Sequence, residues 1–135
     1  MKGNIVMNKR EKKIMEYLWN SEQALTIKQI EEFFKDEDIT RTTIFKAVQS
    51  LFNKGYVRVG GLEKSVKSYA RQVEPAITRE EYAALLLNDE GIRIESIGDV
   101  IAAMIGNSKK TDLKKERQII EELEKIISDI KGRQE

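Results

Sequence analysis

The stretch Thr40-Arg41-Thr42-Thr43-Ile44-Phe45-Lys46-Ala47-Val48-Gln49-Ser50-Leu51-Phe52-Asn53-Lys54-Gly55 decides how the chain is read. Ile44, Val48, Leu51 and Phe52 recur at i, i+4, i+7 and i+8, which is the spacing of one helix face. The helix is expected to begin near Thr40 and to end at Lys54-Gly55, where glycine suits the left-handed residue that closes many helices. Its other side carries Arg41, Thr42, Lys46, Gln49 and Asn53, with no acid among them. Phe45 stands at the edge of that side, equally suited to core and surface.

Towards the N-terminus, Asn8–Asn20 reads as a helix with Asn8 as its N-cap and Ile14, Tyr17 and Leu18 on one face, Trp19 adding packing bulk. Ala24-Leu25-Thr26 is a short extended stretch. Thr26-Ile27-Lys28-Gln29 then has the spacing of a capping box and opens a second helix to about Phe34, with Ile27, Ile30 and Phe34 (or Phe33) inward. This helix carries Glu31 and Glu32. After Gly55, Tyr56-Val57-Arg58-Val59 alternates as a strand, Gly60-Gly61-Leu62-Glu63-Lys64 is a turn, and Ser65 to Val73 is a second strand. Pro75 marks the exit. Three helices followed by a hairpin, with a short strand after the first helix, is the order of a winged helix-turn-helix domain, placed at residues 1–74.

Residues 75–135 read as helical throughout. Thr78-Arg79-Glu80-Glu81 is another capping box, opening a helix to about Leu87 that breaks at Asn88-Asp89-Glu90-Gly91. Glu95–Ile105 follows, then a break at Gly106-Asn107-Ser108, then a helix from about Thr111 to Ile130. In the last helix Leu113, Ile120, Leu123, Ile127 and Ile130 form a heptad-like seam of under three heptads, widened by Ile119 and Ile126. The candidate dimerisation residues are Leu86, Ile97, Val100, Ile101, Met104, Ile120, Leu123, Ile127 and Ile130. The fold class expected is mainly α: a winged helix-turn-helix domain of three helices and a β-hairpin wing, then an α-helical dimerisation region at 75–135.

The chain of 135 residues has no Cys and no His. Disulfides, Cys/His zinc sites and Ser-His-Asp or Cys-His catalysis are thereby excluded. With no Gly-rich phosphate loop and no paired-carboxylate motif either, neither a cofactor, a metal nor an enzymatic activity is expected. No apolar run approaches the ~20 residues that span a bilayer. The N-terminus lacks the apolar stretch of a signal peptide, so a cytoplasmic location is expected. The net charge of +1 conceals an asymmetry: residues 1–71 hold 14 Lys/Arg against 9 Asp/Glu, a balance of +5, whereas residues 72–135 hold 10 against 14, a balance of −4. Only the first half is suited to face a polyanion.

A winged helix-turn-helix domain lays its third helix in a DNA major groove. The candidate DNA-binding residues are therefore Thr40, Arg41, Thr42, Thr43, Phe45, Lys46 and Gln49 on that helix, with Lys64 and Lys67 on the wing. Arg fits guanine bidentately, Gln fits adenine, and Phe fits a thymine methyl, while hydroxyls serve phosphate or base edges. Thr42 and Thr43 suit helix capping equally well, and Lys64 and Lys67 suit a solvated loop.

The runs Ile14-Met15-Glu16-Tyr17-Leu18-Trp19, Thr42-Thr43-Ile44, Leu51-Phe52-Asn53-Lys54-Gly55-Tyr56-Val57 and Pro75-Ala76-Ile77-Thr78-Arg79-Glu80-Glu81-Tyr82, with Ser96–Ile105 and Ile120-Glu121-Glu122-Leu123, resemble the penicillinase-repressor family of winged-helix transcriptional regulators, the BlaI, MecI and CopY relatives. The resemblance spans about Asn8 to Ile130. It implies a homodimeric repressor on a palindromic double-stranded DNA operator, held together by its C-terminal helices, with Thr42, Phe45, Lys46 and Gln49 on groove-facing positions. It further implies a membrane sensor protease as a partner, without membrane insertion of the chain itself. Two features depart from the pattern. Ser50 stands where the family often has Arg, and the cysteine cluster of copper-responsive members is missing. Two other readings share the layout: a winged-helix adaptor that binds protein rather than specific DNA, and a regulator of the PadR type. The junction from hairpin to Pro75 and the three tail helices fit the penicillinase-repressor pattern better than the PadR one.

Overall fold

The computed structural model describes residues 5–64, 69–107 and 113–134. The helices of the N-terminal part start where a polar side chain takes over the amides that a first turn leaves unbonded. Asn8 accepts from the Glu11 amide at 2.8 Å, and the Glu11 carboxylate accepts in return from the Asn8 amide at 2.8 Å, opening α1 (Lys9–Asn20). Thr26 and Gln29 do the same for α2 (Ile27–Phe33), and Thr78 and Glu81 for α4 (Arg79–Asp89). Thr40 caps α3 (Arg41–Asn53), its hydroxyl accepting from the Thr43 amide at 3.1 Å. Each such cap stabilises its helix by about 1 kcal/mol. At the far end of α3, Gly55 has φ 78°, a conformation that a side chain disfavours. The Tyr56 amide then donates to the Leu51 carbonyl at 2.9 Å and the Gly55 amide to the Phe52 carbonyl at 3.0 Å, closing the helix.

The sheet is antiparallel and ordered β1-β3-β2, with β1 (Leu25–Thr26) at one edge, β3 (Tyr69–Pro75) central and β2 (Val57–Lys64) at the other edge. The turn expected at Gly60–Lys64 is strand instead. β2 runs through both glycines, and Gly60 is the extra residue of a bulge between the pairs Val59↔Val73 and Gly61↔Gln72. A glycine pair marks a bulge as readily as a turn, and here space decides. A Cβ on Gly60 would lie 2.9 Å from the Ala24 Cβ and closer still to the Glu74 carboxylate. Residues 65–68, expected in the second strand, lie outside the described residues.

The core is built from one stripe of each helix: Ile14, Met15 and Leu18 of α1, Ile30 with Phe34 at the end of α2, and Ile44, Ala47, Val48 and Leu51 of α3, closed by Val57 and Val73 of the sheet. Fully burying one such aliphatic side chain contributes about 1.5–3 kcal/mol. Between the two phenylalanines left open above, Phe34 goes inward while Phe33 is half exposed and stacks on Tyr17 with ring centroids 3.9 Å apart. Tyr82 of α4 is also in this core, its hydroxyl accepting from the Met7 amide at 2.9 Å. The Trp19 indole donates to the Ile77 carbonyl at 2.9 Å. The compact unit therefore runs past residue 74, where the strands stop, and ends at Ile92, just after Gly91 with φ 87°.

The second compact unit, Arg93–Glu135, has a 3-10 turn at Ile94–Ser96, α5 (Ile97–Asn107) and α6 (Leu113–Gln134). The 3-10 turn takes up the start expected for a helix from Glu95, and α6 outlasts its expected end at Ile130. None of the described residues of this unit is buried. The class is thus mainly α, a winged helix followed by a helical region.

Candidate nucleic-acid interface

Four buried side chains, Ile44, Ala47, Val48 and Leu51, seat α3 on the core, and their spacing fixes what the opposite side presents. Thr42, Phe45, Lys46, Gln49 and Asn53 lie there, all exposed. Phe45 is 55% exposed, which puts it on the surface side of the choice left open by sequence. A helix of 13 residues is about 20 Å long and ~10–12 Å across its side chains, a match for a major groove ~12 Å wide.

The candidates at the start of α3 divide by local bonding. The Thr40 and Thr43 hydroxyls lie 2.8 Å apart and serve the cap, whereas Thr42 is exposed. Arg41 points back to α2, its Nε 2.9 Å from Glu31 Oε1. Lys64 stands at the end of β2, and Lys67 lies outside the described residues. Arg58, also on β2, is tied to Glu74 at 2.8 Å.

The other end of α3 is held by a buried ion pair. Glu11 is 1% exposed, and the Lys54 ammonium donates to its Oε1 at 2.8 Å and to the Val6 carbonyl at 3.3 Å. Burial pushes the Glu11 carboxyl up, but hydrogen bonds from Lys54, the Ser50 hydroxyl and the Asn8 amide outweigh it and hold the group below the ordinary 4.5. Neither this pair nor the Arg41–Glu31 pair was read from sequence. For Glu11 the signal was there, since Asn8-Lys9-Arg10-Glu11 has the capping-box spacing; no local pattern announces a partner 43 residues away.

In the second unit the apolar candidates are open. Ile97, Met104, Ile120, Ile127 and Ile130 are exposed, while Val100, Ile101 and Leu123 are half-buried. Of the thirteen large apolar side chains exposed among the described residues, nine belong to residues 93–135, so this unit lacks a filled core of its own. Leu86 is placed differently, half-buried against the core of the first unit. Among the described residues no His/Cys/Asp/Glu group is disposed to hold a metal ion, and no helix is long and apolar enough to cross a membrane.

The profile of the penicillinase repressor family matches residues 7–128, from the edge of α1 through most of α6. The chain belongs to that family. No individual curated protein matches it. Penicillinase repressors are transcriptional regulators rather than enzymes, and the match covers both compact units. In this member of the penicillinase repressor family, Ser50 is half-buried and is among the groups that lower the Glu11 carboxyl.

Proposed function

We propose that the chain is a transcriptional repressor that binds a palindromic DNA operator as a homodimer. The observation that carries this reading is the outer face of α3: exposed, free of acids and backed by four buried residues, with Thr42, Phe45, Lys46 and Gln49 as the base-facing set. Gln49 reads adenine through its amide, Phe45 packs on a thymine methyl, Lys46 takes guanine or phosphate, and Arg41 takes guanine at the start of the helix. Lys64 and Lys67 of the wing supply phosphate contacts, which position without reading sequence.

Dimerisation uses residues 93–135. Helices with apolar faces and no buried residue gain their stability by covering those faces, and a second copy offers the matching stripe. Ile97, Val100, Ile101, Met104, Ile120, Leu123, Ile127 and Ile130 form that surface, and Leu86 contributes by fixing α4 on the head. Two recognition helices then address half-sites about one helical turn apart, or a multiple of it. Repression follows from occupying DNA that polymerase needs, in the cytoplasm, and cleavage of the dimerising region by a membrane sensor protease would end it by separating the two reading heads.

The test is selection of bound genomic fragments at low salt, followed by affinity measurements across a salt series. The expected outcome is an enriched palindrome, with log affinity falling linearly in log salt concentration. Selection without any enriched palindrome, or affinity indifferent to salt, would leave the protein-binding adaptor as the better account.

A further inference from the structure

The pair between Arg41 and Glu31 is built asymmetrically. Arg41 is 77% exposed and sits at the first position of α3, whereas Glu31 is 27% exposed on α2. Glu31 Oε1 is itself buried and lies 2.9 Å from Arg41 Nε, without the alignment of a hydrogen bond. The acid is thus fixed and the guanidinium is the movable partner, held by charge rather than by a directed bond. The remaining acid of α2, Glu32, is already matched with Lys35 at 3.0 Å, which leaves Glu31 as the acid that faces the start of α3.

We propose that Glu31 is a specificity-determining residue that acts through Arg41: it holds the guanidinium away from nucleic acid until a guanine at the matching position offers a bidentate site. This rests on the DNA-binding reading above. Where the matching position lacks guanine, as in most registers of random-sequence DNA, Arg41 has only phosphates to gain. Leaving Glu31 for a phosphate exchanges one ion pair for another and strands the Glu31 carboxylate, whose Oε1 is buried, beside the DNA backbone, so the arginine stays and binding is weakened. At the cognate base pair the two parallel hydrogen bonds to guanine O6 and N7 exceed a misaligned surface pair, and Arg41 transfers. Glu31 therefore lowers affinity for all DNA, but lowers it more where guanine is missing, and so widens the ratio between operator and random sequence.

The test compares wild type, Glu31→Gln, Arg41→Ala and the double variant by fluorescence anisotropy. The probes are a 30-base-pair duplex recovered by in vitro selection and a random-sequence duplex of equal length. Glu31→Gln is expected to tighten binding to the random duplex about two- to fivefold, the size of an exposed ion pair, and to tighten the selected duplex less, compressing the ratio. In the Arg41→Ala background the same substitution should change the ratio by no more than the scatter. Equal tightening of both duplexes, or an effect that persists without Arg41, would overturn the proposal, since Glu31 would then act only as a negative charge near DNA. That outcome leaves the DNA-binding reading intact, whereas failure of the wild type to bind either duplex would sink both. A two-dimensional NMR spectrum of the arginine side chains gives a DNA-free arm: Glu31→Gln should move the Arg41 Nε resonance, and an unmoved resonance would refute the pair itself.

Discussion

Replacing Lys54 with Met tests what holds the C-terminal end of α3. Methionine keeps most of the side chain's length and volume, so packing is largely retained. What is lost is the ammonium 2.8 Å from a carboxylate that is 1% exposed. Removing one partner of a buried pair costs about 3–5 kcal/mol, because the other charge stays behind uncompensated. The Lys54 side chain is itself 17% exposed, so water reaches part of the site and the low end, about 3 kcal/mol, is expected. With slopes of about 1–3 kcal/mol/M for small domains, the urea midpoint should fall by about 1–3 M at pH 7, provided that protein concentration is held fixed. The pH dependence carries the sharper signature. In the wild type the Glu11 carboxyl is pushed up by burial but held below 4.5 overall by Lys54, Ser50 and Asn8. Its contribution is therefore complete above the unfolded value and is lost as pH falls through the lower folded value. In the variant burial remains while the Lys54 contribution is gone, so the folded value moves upward. The stability gap between the two proteins should then narrow as pH is lowered from 7 towards about 4. Adding Glu11→Gln to Lys54→Met should restore part of the loss by removing the stranded charge. A loss below about 0.5 kcal/mol at pH 7, or a gap that stays constant on acidification, would refute the argument, because the pair would then be solvated and worth no more than an exposed one.

Gly60→Ala should destabilise the first unit by about 1–2 kcal/mol, because its Cβ would meet the Ala24 Cβ at 2.9 Å and displace the Glu74 carboxylate from Arg58; faster hydrogen exchange of the β2 and β3 amides, read by mass spectrometry, checks it. Gln49→Ala should flatten the preference at one base pair of the selected operator by about 1–3 kcal/mol, leaving the salt slope unchanged, as read from binding to single-position operator variants. Replacing Ile120 and Ile127 together with Asp should give a monomer by sedimentation equilibrium and lower operator affinity by about a hundredfold or more, since the two half-sites would no longer be engaged together. An unchanged dimer would remove α6 from the interface.

What was legible in the sequence is what local chemistry determines. The helix starts at Asn8, Thr26, Thr40 and Thr78 were readable because a cap is a short-range arrangement of an oxygen and an amide three residues on. The closing role of Gly55 was readable for the same reason, and so was the face of α3, because 3.6-residue periodicity leaves one stripe for the core. What local pattern leaves open is settled where space decides. Gly60-Gly61 is compatible with a turn or a bulge, and only the proximity of Ala24 and Glu74 selects the bulge. A boundary after residue 74 follows the end of the strands, yet Tyr82 is drawn into the core and bonds Met7, 75 residues earlier in the chain. The two ion pairs that bracket α3, Arg41–Glu31 and Lys54–Glu11, join different helices and leave no signal in any window.

The two units differ in what completes them, and this bears on the mechanism. The first is closed by its own chain: Tyr56 donates to the Ile5 carbonyl at 2.7 Å, Met7 to Tyr82 and Trp19 to Ile77, so that both ends of α1 are tied to elements far away in sequence. Seated on such a frame, α3 is presented already ordered, so that under the proposed function little ordering cost is left to be met at the moment of binding. Residues 93–135 have the opposite character, with apolar faces and, among their described residues, none that is buried. A first unit complete in itself, joined to helices that are not, would under the proposed function make recognition local and affinity collective. In the proposed repressor one head distinguishes bases but holds DNA weakly, and the second copy recruited through the helices raises occupancy to a level that represses. On that proposal, any signal that separates the copies switches the regulator off without touching a residue that reads the bases.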